Sequence, residues 1–250
     1  MWSRAFFPFL LAFAQAVTVF CATYFKDDFT KLPPPVRLAT YAGFAFALIT
    51  PGVAAWNAAR AHRERLARDA YEALLAALTK IVDKTRVPAS DIGLHAYLIR
   101  RPFPWLCMGR QDRIARVRLS DHPPPSTTVW KKGKGYIGAC WKMDLWADFE
   151  FDRIYRDHLK CSSAADWAKV PADLRFGMTF DQWVRTKAYR LVRVYPIHAK
   201  RRILPGYKYV GCISIDTLSD ASVAPLLTDD VRNLVASAAS FVAAATSKSD

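Results

Sequence analysis

Two long stretches without a charged residue, both near the N-terminus, limit most strongly what this chain can fold into. The first runs from Ala5 to Phe25 and the second from Leu38 to Ala59. Each is long enough for a membrane-spanning helix, which needs about 20 apolar residues. The short segment between them contains three successive prolines, at positions 33–35. We therefore predict that residues 1–59 form a hairpin of two transmembrane helices in a lipid bilayer.

The positive charges that flank these stretches predict their orientation. Arg4 precedes the first stretch, and arginines at positions 60, 63, 65 and 68 follow the second. Because basic residues near a span favour the cytoplasmic side, both termini are predicted in the cytoplasm, with the protein in the inner membrane of a bacterium. The first stretch also fits a cleaved secretory signal peptide, with Ala12-Phe13-Ala14 and Ala14-Gln15-Ala16 as cleavage patterns. After such a cleavage the second span would still leave the large C-terminal part inside.

Residues 60–86 are predicted to form a juxtamembrane helix. Leu66, Leu74, Leu78 and Ile81, with alanines between them, repeat with the helical period and give the segment one broad apolar face. That face either pairs with a second copy of the chain or packs on the domain that follows. The first arrangement predicts a homodimer or a higher homo-oligomer, and the sequence favours neither arrangement over the other.

After Pro88 the periodicity changes from helical to alternating, which is typical of strands. Between the second and third of these strands lies a glycine-rich element, Gly133-Lys134-Gly135-Tyr136-Ile137-Gly138. It predicts a tight loop that opens into a helix. Strands are predicted over residues 91–99, 112–119, 191–197 and 209–216, with a mostly helical stretch over 164–185 and an apolar helix over 228–245.

Three of these segments resemble those of a known family. The glycine-rich element, the run Val192-Arg193-Val194-Tyr195-Pro196-Ile197 and the run Val210-Gly211-Cys212-Ile213-Ser214-Ile215-Asp216 resemble the short helix, the penultimate strand and the closing strand of GAF domains. These are small ligand-sensing modules, and residues 87–250 would form one. The resemblance implies an α+β fold: an antiparallel sheet with flanking helices on one face and a ligand pocket on the other. The complete fold prediction is such a GAF-like domain preceded by two transmembrane helices.

Positive charge is the clearest indication of a ligand. The chain has 36 lysines and arginines against 22 aspartates and glutamates, a formal net charge of +14. Basic side chains bind phosphate through charge-assisted hydrogen bonds, and aromatic faces stack on bases. The alternative is a solvated basic surface attracted to the anionic face of the membrane. The predicted ligand-binding residues, which combine basic and aromatic side chains, are Trp130, Lys132, Lys134, Tyr136, Trp141, Arg185, Arg190, Arg193 and Tyr195.

Catalytic and metal chemistry find little support in the sequence. The five cysteines form no Cys-x-x-Cys motif, so a structural zinc site is not predicted. No nucleophile, base and orienting residue can be grouped, so the chain is predicted not to be an enzyme. His95, on the strand face opposite Leu94, is predicted to be a hydrogen-bonded or surface residue rather than a haem ligand. No cofactor is assigned.

These observations predict a membrane-anchored cytoplasmic sensor that binds a small anionic, nucleotide-like ligand. No output domain follows the sensor in the sequence, so the signal is expected to pass through the membrane hairpin or through oligomerisation. A membrane effector of nucleotide-based defence is one form of this prediction. The alternative is a scaffold without a ligand, which docks a partner protein or an anionic lipid.

Overall fold

The structure of the protein is a computed structural model. It describes residues 34–100, 109–121, 123, 128–155, 161–200 and 206–247, with side chains for all of these except 34–51, 152 and 153. The chain divides into two compact units, and the division falls after Arg65. The second unit, Leu66–Lys248, contains the sheet and the helices that pack on it.

The first helix, α1, spans Pro34–Thr85. It continues through Pro51 and ends where Arg86 takes a left-handed conformation, with φ at 61°. The predicted span 38–59 lies in this helix, whereas the predicted span 5–25 lies outside the described residues. Among the helices of the described part of the chain, none is long and apolar enough to cross a membrane. The membrane anchor therefore stays a prediction.

Five strands form one antiparallel sheet: β1 (Ile92–Arg100), β2 (Arg110–Val117), β3 (Ala147–Glu150), β4 (Leu191–Lys200) and β5 (Tyr207–Thr217). Their order across the sheet is β2-β1-β5-β4-β3. This confirms the predicted α+β class, an antiparallel sheet with flanking helices. The alternation of the sequence indicates four of these strands. The other, β3, has four residues, too few for an alternating pattern to be recognised.

The glycine-rich element forms the predicted tight loop and helix. Gly133 and Gly135 have φ angles of 80° and 61°, which glycine adopts without steric cost. At Gly138 a side chain would collide with the backbone carbonyl of Lys131, so the loop closes on its own helix. The helices that follow α1 are α2 (Gly135–Met143), α3 (Phe151–Ile154), α4 (Ala164–Lys169), α5 (Phe180–Thr186), α6 (Val223–Leu226) and α7 (Asp229–Ser247).

The sheet separates two hydrophobic cores. On one face, α1 and α7 cover the strands and contribute fully buried side chains such as Leu74, Ile81 and Val235. On the other face, α2 to α5 enclose an aromatic core, in which the rings of Trp167 and Trp183 stack with their centroids 5.0 Å apart. Because side chains alternate along a strand, neighbouring residues of the central strands serve opposite faces.

Leu74 and Leu75 provide a test of this packing within one helix. Leu74 is fully buried, whereas 41% of Leu75 is exposed. We expect Leu74→Ala to lower the free energy of unfolding by about 2–5 kcal/mol, because it leaves a cavity in the core. We expect Leu75→Ala to lower it by about 1 kcal/mol or less. Urea unfolding of the full chain, followed by tryptophan fluorescence, measures both values, and equal losses would contradict the assigned helix face.

Candidate functional site

A cavity of about 400 Å³ lies on the side of the sheet that carries the aromatic core. β1 contributes His95 and Tyr97 to its lining, and β5 contributes Ser214 and Asp216. The remaining walls come from β2, α2, α5 and β4, from residues between β2 and α2, and from the segment that joins α5 to β4. The polar floor of the cavity is therefore built on the two central strands.

The alternation of β1 and β5 explains why polar side chains face this cavity. Leu94 enters the core under α1 and α7, so its neighbour His95 faces the other way. On β5, Ile215 enters the same core, and Ser214 and Asp216 on either side of it face the cavity. The antiparallel pairing places His95 opposite Ser214. These two strands thus bring the imidazole and the carboxylate together.

Asp216 is the centre of a buried polar network. Its Oδ2 accepts a hydrogen bond from His95 Nε2 at 2.8 Å, and its Oδ1 accepts one from Arg118 Nη2. The side chains of all three residues are nine-tenths or more buried. A buried carboxylate without a partner would cost several kcal/mol, so Arg118 compensates a charge that the fold could not otherwise hold. Gly93 leaves room for this pair, because a Cβ there would lie 2.7 Å from Asp216 Oδ1.

His95 is held in its neutral form. Burial lowers its pKa well below the usual value of 6.5, and the charges of Arg113, Arg118 and Arg116 lower it further. Since the carboxylate of Asp216 accepts from Nε2, the proton of the neutral ring lies on Nε2 and Nδ1 carries a lone pair. Within the described part of the chain, this buried Nδ1 has no hydrogen-bond partner. The cavity therefore contains a hydrogen-bond acceptor, His95 Nδ1, that has no donor among the described residues, on a ring whose orientation is fixed by Asp216.

Three guanidinium groups, those of Arg113, Arg116 and Arg185, line the cavity. Arg116 Nη2 donates a hydrogen bond to the backbone carbonyl of Pro123 at 2.8 Å, which fixes the position of that side chain. Asp216 is the one acid among the described residues that line the cavity, and its charge is already balanced by the ion pair described above. The lining of the cavity therefore has an excess of positive charge.

Aromatic side chains supply further walls. Trp130 and Tyr136 are both buried, and both line the cavity. The Tyr136 hydroxyl donates to the Tyr155 hydroxyl at 2.8 Å, which in turn donates to the carbonyl of Leu174 at the same distance. Burial raises the pKa of Tyr136 well above its ordinary value. Trp130 packs on Gly135, where a side chain would collide with the indole ring, so the glycine-rich loop positions this wall.

Three of the predicted ligand-binding residues, Trp130, Tyr136 and Arg185, line the cavity. Lys132 is exposed, and Lys134 is half-buried at the N-cap position of α2. Neither lysine is among the lining residues. Of the glycine-rich element and the residues beside it, the aromatic side chains of Trp130 and Tyr136 line the cavity and these two lysines do not.

The other four predicted residues also lie away from the cavity. Trp141 stacks on a tyrosine of β5, with ring centroids 6.2 Å apart. Arg190 forms an ion pair at 3.1 Å with an aspartate that follows β5. The alternation of β4 that brings Val192 to the cavity turns Arg193 and Tyr195 to the opposite face of the sheet. The structure does not bring these four side chains together.

Most of the polar lining comes from residues that the ligand prediction did not include: His95, Tyr97, Arg113, Arg116, Ser214 and Asp216. In the sequence, His95 and Arg116 lie on the strand faces opposite the apolar residues. For a sheet covered on one side only, such residues face water. This sheet is covered on both sides, so the same residues face a second layer and the cavity within it. The alternation in the sequence shows which strand face His95 and Arg116 occupy. It does not show that α2 to α5 cover that face and enclose a cavity on it.

The architecture matches what the resemblance to GAF domains implied, with terminal helices on one face of an antiparallel sheet and a cavity on the other. No protein-family model matches the chain, and no curated protein matches it. Among solved structures, the type II free methionine-R-sulfoxide reductase from Thermoplasma acidophilum is similar, with 13% sequence identity and a TM-score of 0.41. The match covers 72% of this chain and 94% of that one. Similarity at this level assigns no activity to the present chain.

The prediction that the chain is not an enzyme conflicts with this match, because the matched protein is a reductase, and the prediction is withdrawn without an activity being assigned in its place. The prediction depended on finding no catalytic grouping in the sequence. His95 and Asp216 are 121 positions apart, and they meet because β1 and β5 are neighbours in the sheet. A search by sequence spacing could not have found that pair.

Replacing His95 with glutamine tests its protonation state. Because the folded chain holds the pKa of His95 below 6.5, the unfolded chain binds more protons as the pH falls below about 6.5. The contribution of neutral His95 to stability is therefore complete above that pH and is lost as the pH falls toward the lowered pKa. We expect the free energy of unfolding to decline less steeply between pH 7.5 and pH 5 in His95→Gln than in the native chain.

Urea unfolding of the full chain at several pH values measures this slope. The matched control is His198→Gln, which removes a partly exposed histidine paired with Asp144 at 2.7 Å, outside the cavity. A slope that His95→Gln leaves unchanged would contradict the assignment of a neutral buried ring.

Proposed function

We propose that this protein is a GAF-like sensor whose cavity binds a small anionic ligand of the nucleotide class. The observation that carries the proposal is the excess of positive charge in the lining of the cavity. Arg113, Arg116 and Arg185 line it, whereas the carboxylate of Asp216 is already in an ion pair. Guanidinium groups pair with phosphate or carboxylate oxygens through parallel charge-assisted hydrogen bonds. An anion is the ligand whose charge these side chains would balance.

The size and walls of the cavity support a ligand larger than a simple ion. Its volume of about 400 Å³ lies within the range of about 300–1,000 Å³ that is common for small-molecule sites. Trp130, Tyr97 and Tyr136 contribute aromatic surface to the lining. Such surface stacks on any base, because every base has a π face. A phosphate group among the arginines and a base against the aromatic rings would use both parts of the cavity.

The membrane hairpin is the second part of the proposal. Residues 1–59 would anchor the sensor to the inner membrane of a bacterium, with the ligand-binding domain in the cytoplasm. The support comes from the two charge-free stretches, 5–25 and 38–59, and from the arginines that follow the second one. Ligand binding would be reported through the hairpin or through assembly into a homo-oligomer, and an effector of nucleotide-based defence would act on the bilayer in this way.

A scaffold that docks a partner protein is the alternative function. One observation favours it: Met143 at the end of α2, and Leu145 and Trp146 just after it, are each about half exposed or more. Apolar side chains grouped on a surface mark sites of protein interaction. A scaffold needs no ligand in the cavity, so measurement of ligand binding separates the two functions.

Matched arginine variants test the anion site. We expect Arg113→Gln to weaken binding by about 10- to 100-fold, because it removes a charge-assisted hydrogen bond from a half-buried position. Arg185→Gln should have a smaller effect, since Arg185 is exposed. Arg190→Gln is the control, because it removes the same charge from a side chain outside the lining.

The measurement is native mass spectrometry and calorimetry of the full chain with mononucleotides, cyclic mononucleotides and cyclic oligonucleotides. No binding by any member of this panel, or equal losses for Arg113→Gln and Arg190→Gln, would contradict the proposed site and favour the scaffold.

Fractionation tests the membrane anchor. We expect the full chain to stay with the membranes when cells are lysed and the membranes are washed at alkaline pH, because two apolar helices would hold it in the bilayer. A chain that begins at Arg60 should be released by the same wash. Release of the full chain would contradict the hairpin without affecting the ligand-binding proposal.

A further inference from the structure

The Nδ1 atom of His95 is a feature of the cavity that positive charge alone does not explain. The ring lines the cavity and is 5% exposed. Its other nitrogen is committed to Asp216, and within the described part of the chain Nδ1 has no hydrogen-bond partner. A buried acceptor without a partner is costly and is uncommon in folded proteins. Arg113 and Arg116 line the same cavity and would attract an anionic ligand, so we expect the ligand to supply the donor that Nδ1 lacks.

The surroundings of His95 exclude a bound cation as the partner of Nδ1. A metal-ligating histidine commonly donates its second ring N–H to a carboxylate, as His95 does to Asp216. However, the guanidinium groups of Arg113, Arg116 and Arg118 act on this ring with their positive charge. Among the described residues, no group of three histidine, cysteine, aspartate or glutamate side chains could hold a metal ion. An anionic group that carries a proton fits both the arginines and the acceptor.

We propose that the cavity binds a phosphate monoester together with one proton, which lies between a phosphate oxygen and His95 Nδ1. This inference rests on the proposed anion-binding function and names the ligand class for that site. A fully ionised phosphate oxygen cannot face the lone pair of Nδ1 without repulsion. The complex therefore contains either a P–O–H group that donates to Nδ1 or an imidazolium that donates to the phosphate dianion. Both forms contain the same number of protons, and no covalent bond to phosphorus is made or broken.

Asp216 makes the second form accessible. When Nδ1 is protonated, Nε2–H remains bonded to the carboxylate, so each N–H of the imidazolium faces a negatively charged oxygen. The bound phosphate also balances the arginine charges that lower the pKa of His95 in the empty cavity. A phosphate monoester has a second pKa of about 6, so either partner can carry the shared proton near neutral pH. A phosphate diester has no such proton and would have to rely on protonation of His95 alone.

The other titratable groups around His95 keep their charge in this pH range. Burial raises the pKa values of Tyr97, Tyr136 and Tyr189, so these hydroxyls stay neutral. Arginine side chains stay charged throughout. The charged and titratable groups that face His95 are Tyr97 on β1, Arg113, Arg116 and Arg118 on and after β2, Tyr136 on α2, Arg185 on α5, Tyr189 before β4 and Asp216 on β5.

Calorimetry with AMP and 3′,5′-cyclic AMP tests the proposal, because the two probes share a base and differ in the phosphate ester. Titration of the full chain at pH 7.5, in two buffers with different enthalpies of ionisation, measures proton uptake directly. For AMP we expect uptake of nearly one proton per bound ligand. We also expect an affinity that falls about tenfold for each pH unit above 7. Cyclic AMP should bind more weakly than AMP at pH 6.5.

His95→Gln removes the shared proton while its amide can still donate to Asp216. We expect this variant to bind AMP more weakly at pH 6.5, without proton uptake and with an affinity independent of pH between 7 and 8.5. His198→Gln is the control and should behave like the native chain. The pH dependence of the native chain is an independent readout, so the test stands even where His95→Gln does not fold.

The outcomes separate this inference from the proposed function. AMP binding without proton uptake, uptake that persists in His95→Gln, or tighter binding of cyclic AMP would overturn the inference and leave the anion site intact. If neither probe binds but another anion of the wider panel does, the monoester assignment is wrong and the anion site stands. If no anion of the panel binds, both proposals fail.

Discussion

A single buried carboxylate, that of Asp216, determines the polar interior of this structure. Its two oxygens accept hydrogen bonds from His95 on β1 and from Arg118 just after β2. Side chains thus join three adjacent strands that backbone hydrogen bonds already connect. Loss of either partner would leave a buried charge only partly compensated, which costs more than the hydrogen bond itself. The imidazole orientation, and with it the floor of the cavity, depends on this arrangement.

The opposite face of the sheet also holds a buried charged side chain, but there it is an arginine whose partner is a carboxylate. Arg193 is 2% exposed beneath the helical layer. Its guanidinium donates to Asp148 Oδ1 of the edge strand β3 at 2.6 Å and to the carbonyl of Leu226 in α6 at 2.6 Å. Each face therefore holds a buried charged side chain whose partners come from different elements. On this face, the hydrogen bonds of Arg193 fix the positions of the edge strand β3 and of the end of α6, which leads into α7. Packing of apolar side chains alone would fix these positions less specifically.

The parts of the fold that the sequence predicts are those with a long, one-sided pattern. The helical period before Pro88 and the alternation in β1, β2, β4 and β5 each extend over enough residues to identify the element and its apolar face. β4 is buried on both faces, so alternation could not tell which side Arg193 takes. For the site, the nearby Trp130 and Tyr136 could be found from the glycine-rich element. The pairing of His95 with Asp216 could not, since it depends on strand order rather than on sequence distance.

The two-sided alternation of the central strands also bears on how faithfully the sheet assembles. A slip of one residue in β5 against β1 would turn Asp216 into the hydrophobic core under α1 and α7, and would present Ile215 to the cavity. The carboxylate would lose its bonds to His95 and Arg118 and would be buried among apolar side chains, where an unpaired charge is strongly unfavourable. The Asp216 carboxylate therefore also disfavours misaligned pairing of β5 with β1. A sheet with the shifted register would bury this charge without a partner and would be less stable than the sheet with the correct register.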